Sequence, residues 1–174
     1  EVVRLCSGDP TVYSALAEQS RRLDAAGVPW RVTPGVPAYA AAAALAGREL
    51  TVPLLTQSVV LTRAQARSTA MPDSERLSNF ARTGATLVLH LAIRHIRAIA
   101  DELGPHYGTD CPVLVVYRAE QPDQLILQGT LTDIADQVED AGLRQAAVIL
   151  VGRVLGPGGG ESYLYDPSRE RSAD

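Results

Sequence analysis

The sequence predicts an α/β protein built as two successive units, and three observations carry that expectation. Short apolar runs, Val2–Leu5 and Pro29–Thr33, flank a segment where Val12, Ala15, Leu16, Gln19, Leu23 and Ala26 recur at helical spacing. Each run leads into a special turn, Ser7-Gly8-Asp9-Pro10 or Pro34-Gly35, at the kind of place where ligands collect in open α/β sheets. Beyond Thr51-Val52-Pro53 a second, longer alternation of apolar runs and helical patterns begins.

Taken in order, the first unit reads as strand 2–5, helix 10–26, strand 29–33 and helix 37–46. Asp9 followed by Pro10 makes a favourable helix start, a capping carboxylate and a proline at the first helical position. The run from Pro37 to Ala46 is rich in alanine, which favours helix, and Gly47 is placed to stop it. Thr51-Val52-Pro53 is a stiff connection and the expected boundary. The expected domains are therefore 1–53 and 54–155, with 156–174 a Gly-rich break and tail. The second unit reads as strands 57–62, 85–91, 112–118, 124–129 and 146–153, with helices at 74–82, 92–103 and 131–141. Ser74 and Thr132 suit helix starts, and Gly84, Gly104 and Gly142 suit helix ends. Residues 64–73 are polar and irregular and read as a mobile loop.

Composition narrows the function. A chain of 174 residues, 46% hydrophobic and 21% charged, is ordinary for a globular protein. No apolar run approaches the length that spans a bilayer, and Glu1-Val2-Val3-Arg4 has no leader-like character, so a cytoplasmic location is expected. A net charge of −4 argues against nucleic acid, which wants a basic face. Cys6 and Cys111 lack metal-ligand spacing and read as reduced packing cysteines, and no metal site is expected. All 16 basic residues are arginine, whose planar fork grips carboxylates in pairs of hydrogen bonds.

The turns and their spacing carry a resemblance. Ser7-Gly8-Asp9-Pro10, then Tyr13-Ser14, then a helix, then Val32-Thr33-Pro34-Gly35 is similar to the pattern of the tetrapyrrole methylases. Leu61-Thr62-Arg63 with Met71-Pro72, Val116-Tyr117-Arg118-Ala119, Gln128-Gly129-Thr130-Leu131, Ile149-Leu150-Val151-Gly152-Arg153-Val154 and Tyr163-Leu164-Tyr165-Asp166-Pro167 resemble that family's precorrin-4 C11-methylating branch. The resemblance runs through the whole chain. It implies a two-domain fold, an N-terminal parallel-sheet domain (partial here) plus a C-terminal mixed-sheet α/β domain, and a homodimer. Family members begin with a strand and a Gly-rich loop ahead of the first motif seen here. About 75 further residues, two or three β–α units, are therefore expected upstream. A chain without them is expected to be inactive and poorly folded in its first third.

The activity implied is S-adenosylmethionine-dependent methylation of C11 of precorrin-4, or of its cobalt form, in cobalamin synthesis. Positioning carries most of such a reaction, because the leaving group is a neutral thioether. By the resemblance, the methyl donor would meet Ser7, Gly8, Asp9, Val12, Pro37, Ala38, Leu91 and Ala119, with the backbone of the strand around Ala147–Val151 beside the adenine. Pro37 has neither hydroxyl nor N–H, so only a van der Waals role carries over to it. Arg63 and Arg118 are the preferred clamps for the tetrapyrrole's carboxylates, ahead of Arg67 and Arg94; each also reads as an ordinary surface arginine. No catalytic residue stands out: Tyr117 could assist proton removal only weakly, and His90 reads as a hydrogen-bonded core residue. Methylation at uroporphyrinogen-III C2/C7 or precorrin-3 C17, or a non-catalytic relative, are the alternatives. The Leu61-Thr62-Arg63/Met71-Pro72 and Tyr117-Arg118-Ala119 motifs favour C11.

Overall fold

The structure, a computed structural model, describes residues 2–64 and 71–160. Ten elements follow in order: α1 (Leu16–Ala25), α2 (Ala38–Leu45), β1 (Val59–Arg63), α3 (Leu77–Ala81), β2 (Thr86–His90), α4 (Ile96–Tyr107), β3 (Pro112–Tyr117), β4 (Leu125–Thr130), α5 (Ile134–Asp140) and β5 (Ala147–Val151). The strands form one sheet in the order β1-β2-β5-β3-β4. β1 and β2 are parallel, and β5 lies antiparallel between β2 and β3. β4 closes a hairpin with β3. The sheet is therefore mixed, and β1, β2 and β3 all end at the same edge.

Period-two alternation sorts the strand residues onto two faces. Leu87, Leu89, Val113, Val115, Ile149 and Val151 point to one face, where they pack with Leu77, Ile96, Ile99, Leu103, Ile134 and Val138 of α3, α4 and α5. Val88, Leu114, Val116, Val148 and Leu150 point to the other, beneath Ala42 of α2 and the turn carrying Val154 and Leu155. Leu87, Leu89, Ile149 and Leu150 are wholly buried, and each such side chain stabilises the fold by roughly 1.5–3 kcal/mol. Thr86 is buried and polar, and its hydroxyl donates to the Leu50 carbonyl at 2.9 Å, tying the segment after α2 to the sheet. Among the described residues no helix is long and apolar enough to cross a membrane.

Three expectations need correction. The runs at 2–5 and 29–33 are not strands: no described strand offers them backbone partners, and Val2 and Leu5 are 97% and 90% exposed. The first helix begins at Leu16 rather than residue 10, because Tyr13 and Ala15 sit in the left-handed region at φ 53° and 59°. Helix α4 runs through Gly104 and Pro105 to Tyr107, and Gly108 at φ 84° follows it. Burial of Tyr107, whose hydroxyl donates to the Ala85 carbonyl, opposes the low helix propensity of Gly104 and Pro105.

Candidate functional site

Asp9 does not cap a helix; it joins two turns. Its Oδ1 accepts from the Thr11 N–H at 2.7 Å and from the Thr11 hydroxyl, while Oδ2 accepts from the Gly35 N–H at 2.9 Å. The Thr11 hydroxyl, then the Gly35 and Thr11 amides, hold the carboxyl below its ordinary range, so Asp9 is an anion at neutral pH. Where the turns meet, a Cβ on Gly35 would stand 2.1 Å from the Gly8 carbonyl oxygen. Only glycine permits that approach, and this is why the Pro34-Gly35 turn can nestle against Ser7-Gly8-Asp9. The hydroxyl of Ser14 donates to the Pro10 carbonyl and closes the first turn on itself.

These turns face the edge of the sheet across a cavity of about 420 Å³. Seven sequence-predicted donor residues line it: Ser7, Gly8, Asp9, Val12, Pro37, Ala38 and Leu91. Arg4, Leu5, Cys6, Tyr13, Ser14 and His90 complete the wall. Ala119 does not line it; the residue is half-buried after β3 and packs against the core beneath α2. Leu91, at the end of β2, holds a left-handed backbone (φ 55°) and is 72% exposed. Such a conformation costs a non-glycine residue about 1–2 kcal/mol and turns the chain sharply away from the strand.

The predicted arginines occupy varied settings. Arg63 ends β1 in register with His90, and its Nη1 donates to the Ala64 carbonyl at 3.4 Å. Arg118, just past β3, pairs with Asp123 at 2.9 Å, and its guanidinium carbon lies 6.0 Å from the Tyr117 ring centre. Arg94 donates to the Arg144 carbonyl at 2.8 Å, joining the start of α4 to the loop before β5. Arg67 and the motif from Tyr163 to Pro167 lie outside the described residues. Arg4, which sequence reasoning passed over, brings a cation to the cavity and donates to Gln19 Oε1 at 2.5 Å.

His90 also corrects its reading. Its Nε2 is sealed from solvent and has no hydrogen-bond partner among the described residues. The ring meets Tyr13 at 5.3 Å and the edge of Tyr39 at 6.3 Å, and burial pushes its pKa below the ordinary histidine value. The signal was present in the sequence: His90 is two residues beyond Val88, so alternation turns it to the face that α2 covers. Tyr13, whose phenol burial pushes above its ordinary value, was legible only as part of a motif.

Comparison with known proteins follows the same lines. The profile of the tetrapyrrole (corrin/porphyrin) methylases matches residues 1–135. The chain is 56% identical over 173 residues to a precorrin-4 C(11)-methyltransferase of Rhodococcus erythropolis, covering 99% of this chain and 70% of that protein. The crystal structure of a cobalt precorrin-4 methyltransferase of cobalamin biosynthesis superposes with a TM-score of 0.83 at 40% identity, over 86% of this chain and 63% of that one. A uroporphyrin-III C-methyltransferase from Thermus thermophilus, solved with S-adenosylhomocysteine, gives 0.69 at 28% identity over 85% of this chain and 64% of its own. The chain thus spans about two thirds of the length of these relatives.

Proposed function

The chain belongs to the tetrapyrrole methylases, and from that premise we propose that its protein methylates C11 of precorrin-4 or cobalt-precorrin-4, with S-adenosylmethionine as donor. The observation that carries the reading is the convergence of Ser7-Gly8-Asp9, Pro37-Ala38 and Leu91 on one cavity. Its volume, about 420 Å³, is within the range of small-molecule sites. C11 is preferred over uroporphyrinogen chemistry because identity is 56% to a C11 enzyme against 28% to the uroporphyrin-III enzyme.

The wall suits such a donor. Backbone groups of the two turns are held in place by Asp9 and by the Gly8–Gly35 approach, and the small Ala38 leaves room. A carboxylate has about four acceptor positions; three are used within the turns, so Asp9 keeps capacity for a hydroxyl or ammonium group. When bound, the donor supplies a methyl group on a cationic sulfur. The protein's part is to hold the two reactants in line and keep water out, which accounts for the largest share of rate in such a transfer. Arg63 and Arg118 would hold the substrate's carboxylates, Arg118 by exchanging its exposed partner Asp123. A cytoplasmic homodimer is the state we assign, with 1–53 and 54–155 as its domains.

Calorimetry with S-adenosylhomocysteine and mass analysis of the methylated product test the reading. Full-length protein should bind the thioether and transfer one methyl to precorrin-4, leaving uroporphyrinogen-III untouched. Methylation of uroporphyrinogen-III would replace C11 by the C2/C7 alternative, and no binding of the thioether would remove the methylase reading. Light scattering in solution checks the dimer.

A further inference from the structure

We propose that the guanidinium of Arg4 receives the α-carboxylate of the methyl donor. The inference rests on the methylase reading and deepens it, giving a partner to an end of the donor that the reading leaves unassigned. Its first support is the charge on the cavity wall. Among the described residues that line the cavity, Arg4 is the only arginine and Asp9 the only carboxylate. Burial lowers the His90 pKa below its ordinary value, so that ring adds no second cation at neutral pH. The donor's amino-acid end is a zwitterion, a carboxylate beside an ammonium, and a wall with one fixed charge of each sign matches it.

The second support is that Arg4 is held ready. Gln19 of α1 donates from Nε2 to the Ser14 carbonyl at 3.1 Å and to the Ala15 carbonyl at 3.0 Å. Those two oxygens decide which way the carboxamide faces, because the reverse orientation would set oxygen against oxygen. Oε1 is thereby turned to Arg4, whose Nη1 donates to it at 2.5 Å. Among the described residues no carboxylate pairs with Arg4. Its remaining N–H groups keep the planar fork that takes both oxygens of a carboxylate at once. An arginine already ordered also gives up less freedom when its ligand arrives.

Other groups of the wall suit an anion less well. The Ser14 hydroxyl is engaged by the Pro10 carbonyl, and the Asp9 carboxylate is itself an anion. Arg63 and Arg118 do not line the cavity. Asp9 instead suits the ammonium, for which it keeps acceptor capacity beyond its bonds to Thr11 and Gly35. Asp9 is tied to both turns, and Arg4 is tied through Gln19 to the start of α1. The two charges of the amino-acid end thus meet two separately anchored side chains. Holding both fixes that end of the donor, and positioning is what a transfer of this kind requires.

S-adenosylhomocysteine and its decarboxylated form, S-adenosyl-3-thiopropylamine, differ only in that carboxylate. Calorimetry with both ligands on the full-length protein tests the assignment. Wild type should favour S-adenosylhomocysteine about tenfold or more, the effect of a hydrogen-bonded charged group. Arg4→Gln should lose that preference. Its affinity for S-adenosylhomocysteine should fall about tenfold or more, while its affinity for the amine holds or rises, since a nearby cation has gone. Arg4→Lys, which keeps the charge without the fork, should fall between the two. Both variants should melt with wild type, because Gln19 keeps its bonds to Ser14 and Ala15. An Arg4→Gln protein that keeps the wild-type preference would overturn the assignment and leave the methylase reading intact. So would an equal loss for both ligands, the signature of a residue that supports the turn. Wild type that binds both ligands alike overturns the assignment without recourse to any variant. Wild-type protein that binds neither overturns the methylase reading, and the role of Arg4 with it.

Discussion

The sheet from Val59 to Val151 and the segment from Val2 to Val36 both reach the cavity, yet only the sheet has an interior. β2, β3 and β5 bury nearly every side chain on both faces, whereas α1 buries none and Val2, Leu5 and Val36 stand largely in water. The early segment is held by a few specific links: the Asp9 bonds to Thr11 and Gly35, the contact of the Gly8 and Gly35 backbones, and the Tyr13–His90 ring contact. The sheet contributes a fixed edge, with His90 and Leu91 at the end of β2. The turns contribute polar backbone groups to the cavity wall. Such a division places rigidity on one side of the cavity and adaptability on the other, and it makes the cavity sensitive to changes that hardly touch global stability.

The largest test of this contrast is hydrogen exchange along the whole chain. Amides of residues 2–36 should exchange through openings that cost little, while those of β2, β3 and β5 should require global unfolding, about 5–15 kcal/mol for a domain. Equal protection in both regions would mean that the turns are held by more than the links named here.

Gly35→Ala comes next. The new Cβ must displace the Gly8 carbonyl, so the two turns separate and the Asp9–Gly35 bond is lost. Binding of S-adenosylhomocysteine should weaken tenfold or more, about 1.4 kcal/mol, with the sheet's melting temperature unchanged. A variant that binds normally would show that the turns need not touch to form the site.

How much of this was legible in the sequence follows from the same contrast. The five strands of the sheet were readable to within a few residues because Thr86–His90, Pro112–Tyr117 and Ala147–Val151 are apolar runs bounded by turn residues. The turns that line the cavity were readable because glycine and Asp-Pro turns leave a local signature, whereas the donor role of their residues came from the resemblance alone. What escaped was set by tertiary packing. The ring contacts that seal His90 come from Tyr13 and Tyr39, distant in sequence, and no local pattern shows that its Nε2 stays unpaired. The runs 2–5 and 29–33 have strand-like composition, but a strand needs a neighbour's backbone, which local pattern cannot supply. Ala119 was drawn to the cavity by motif alone, and packing against the α2-covered core keeps it out of the wall.

Ala38→Leu and Ala119→Leu sharpen the comparison at intermediate size, since adding methylenes to a filled space typically costs about 1–3 kcal/mol. At Ala38 the cost should fall on ligand affinity, because the new side chain enters the cavity. At Ala119 it should fall on stability, because the residue packs on Val116-side core. Calorimetry and a thermal melt on the same samples separate the two, and an affinity loss at Ala119 would bring that residue back to the donor.

The smallest expected effect is that of Arg118→Gln on stability. Arg118 meets Asp123 at 2.9 Å, but both side chains are about half exposed, 42% and 53%. Exposed pairs of this kind contribute about 0–1 kcal/mol, since water screens the attraction and two flexible chains must be ordered. Its left-handed backbone at φ 46° is equally strained with Gln, so no relief or further cost arises there. The melting temperature should therefore barely move. If Arg118 clamps a tetrapyrrole carboxylate, the same variant should raise the Michaelis constant for precorrin-4 severalfold and leave that for the methyl donor unchanged. A fall in stability well beyond 1 kcal/mol would instead make Arg118 part of what holds the sheet's edge together, and the division between a rigid sheet and a responsive rim would have to be redrawn at the end of β3.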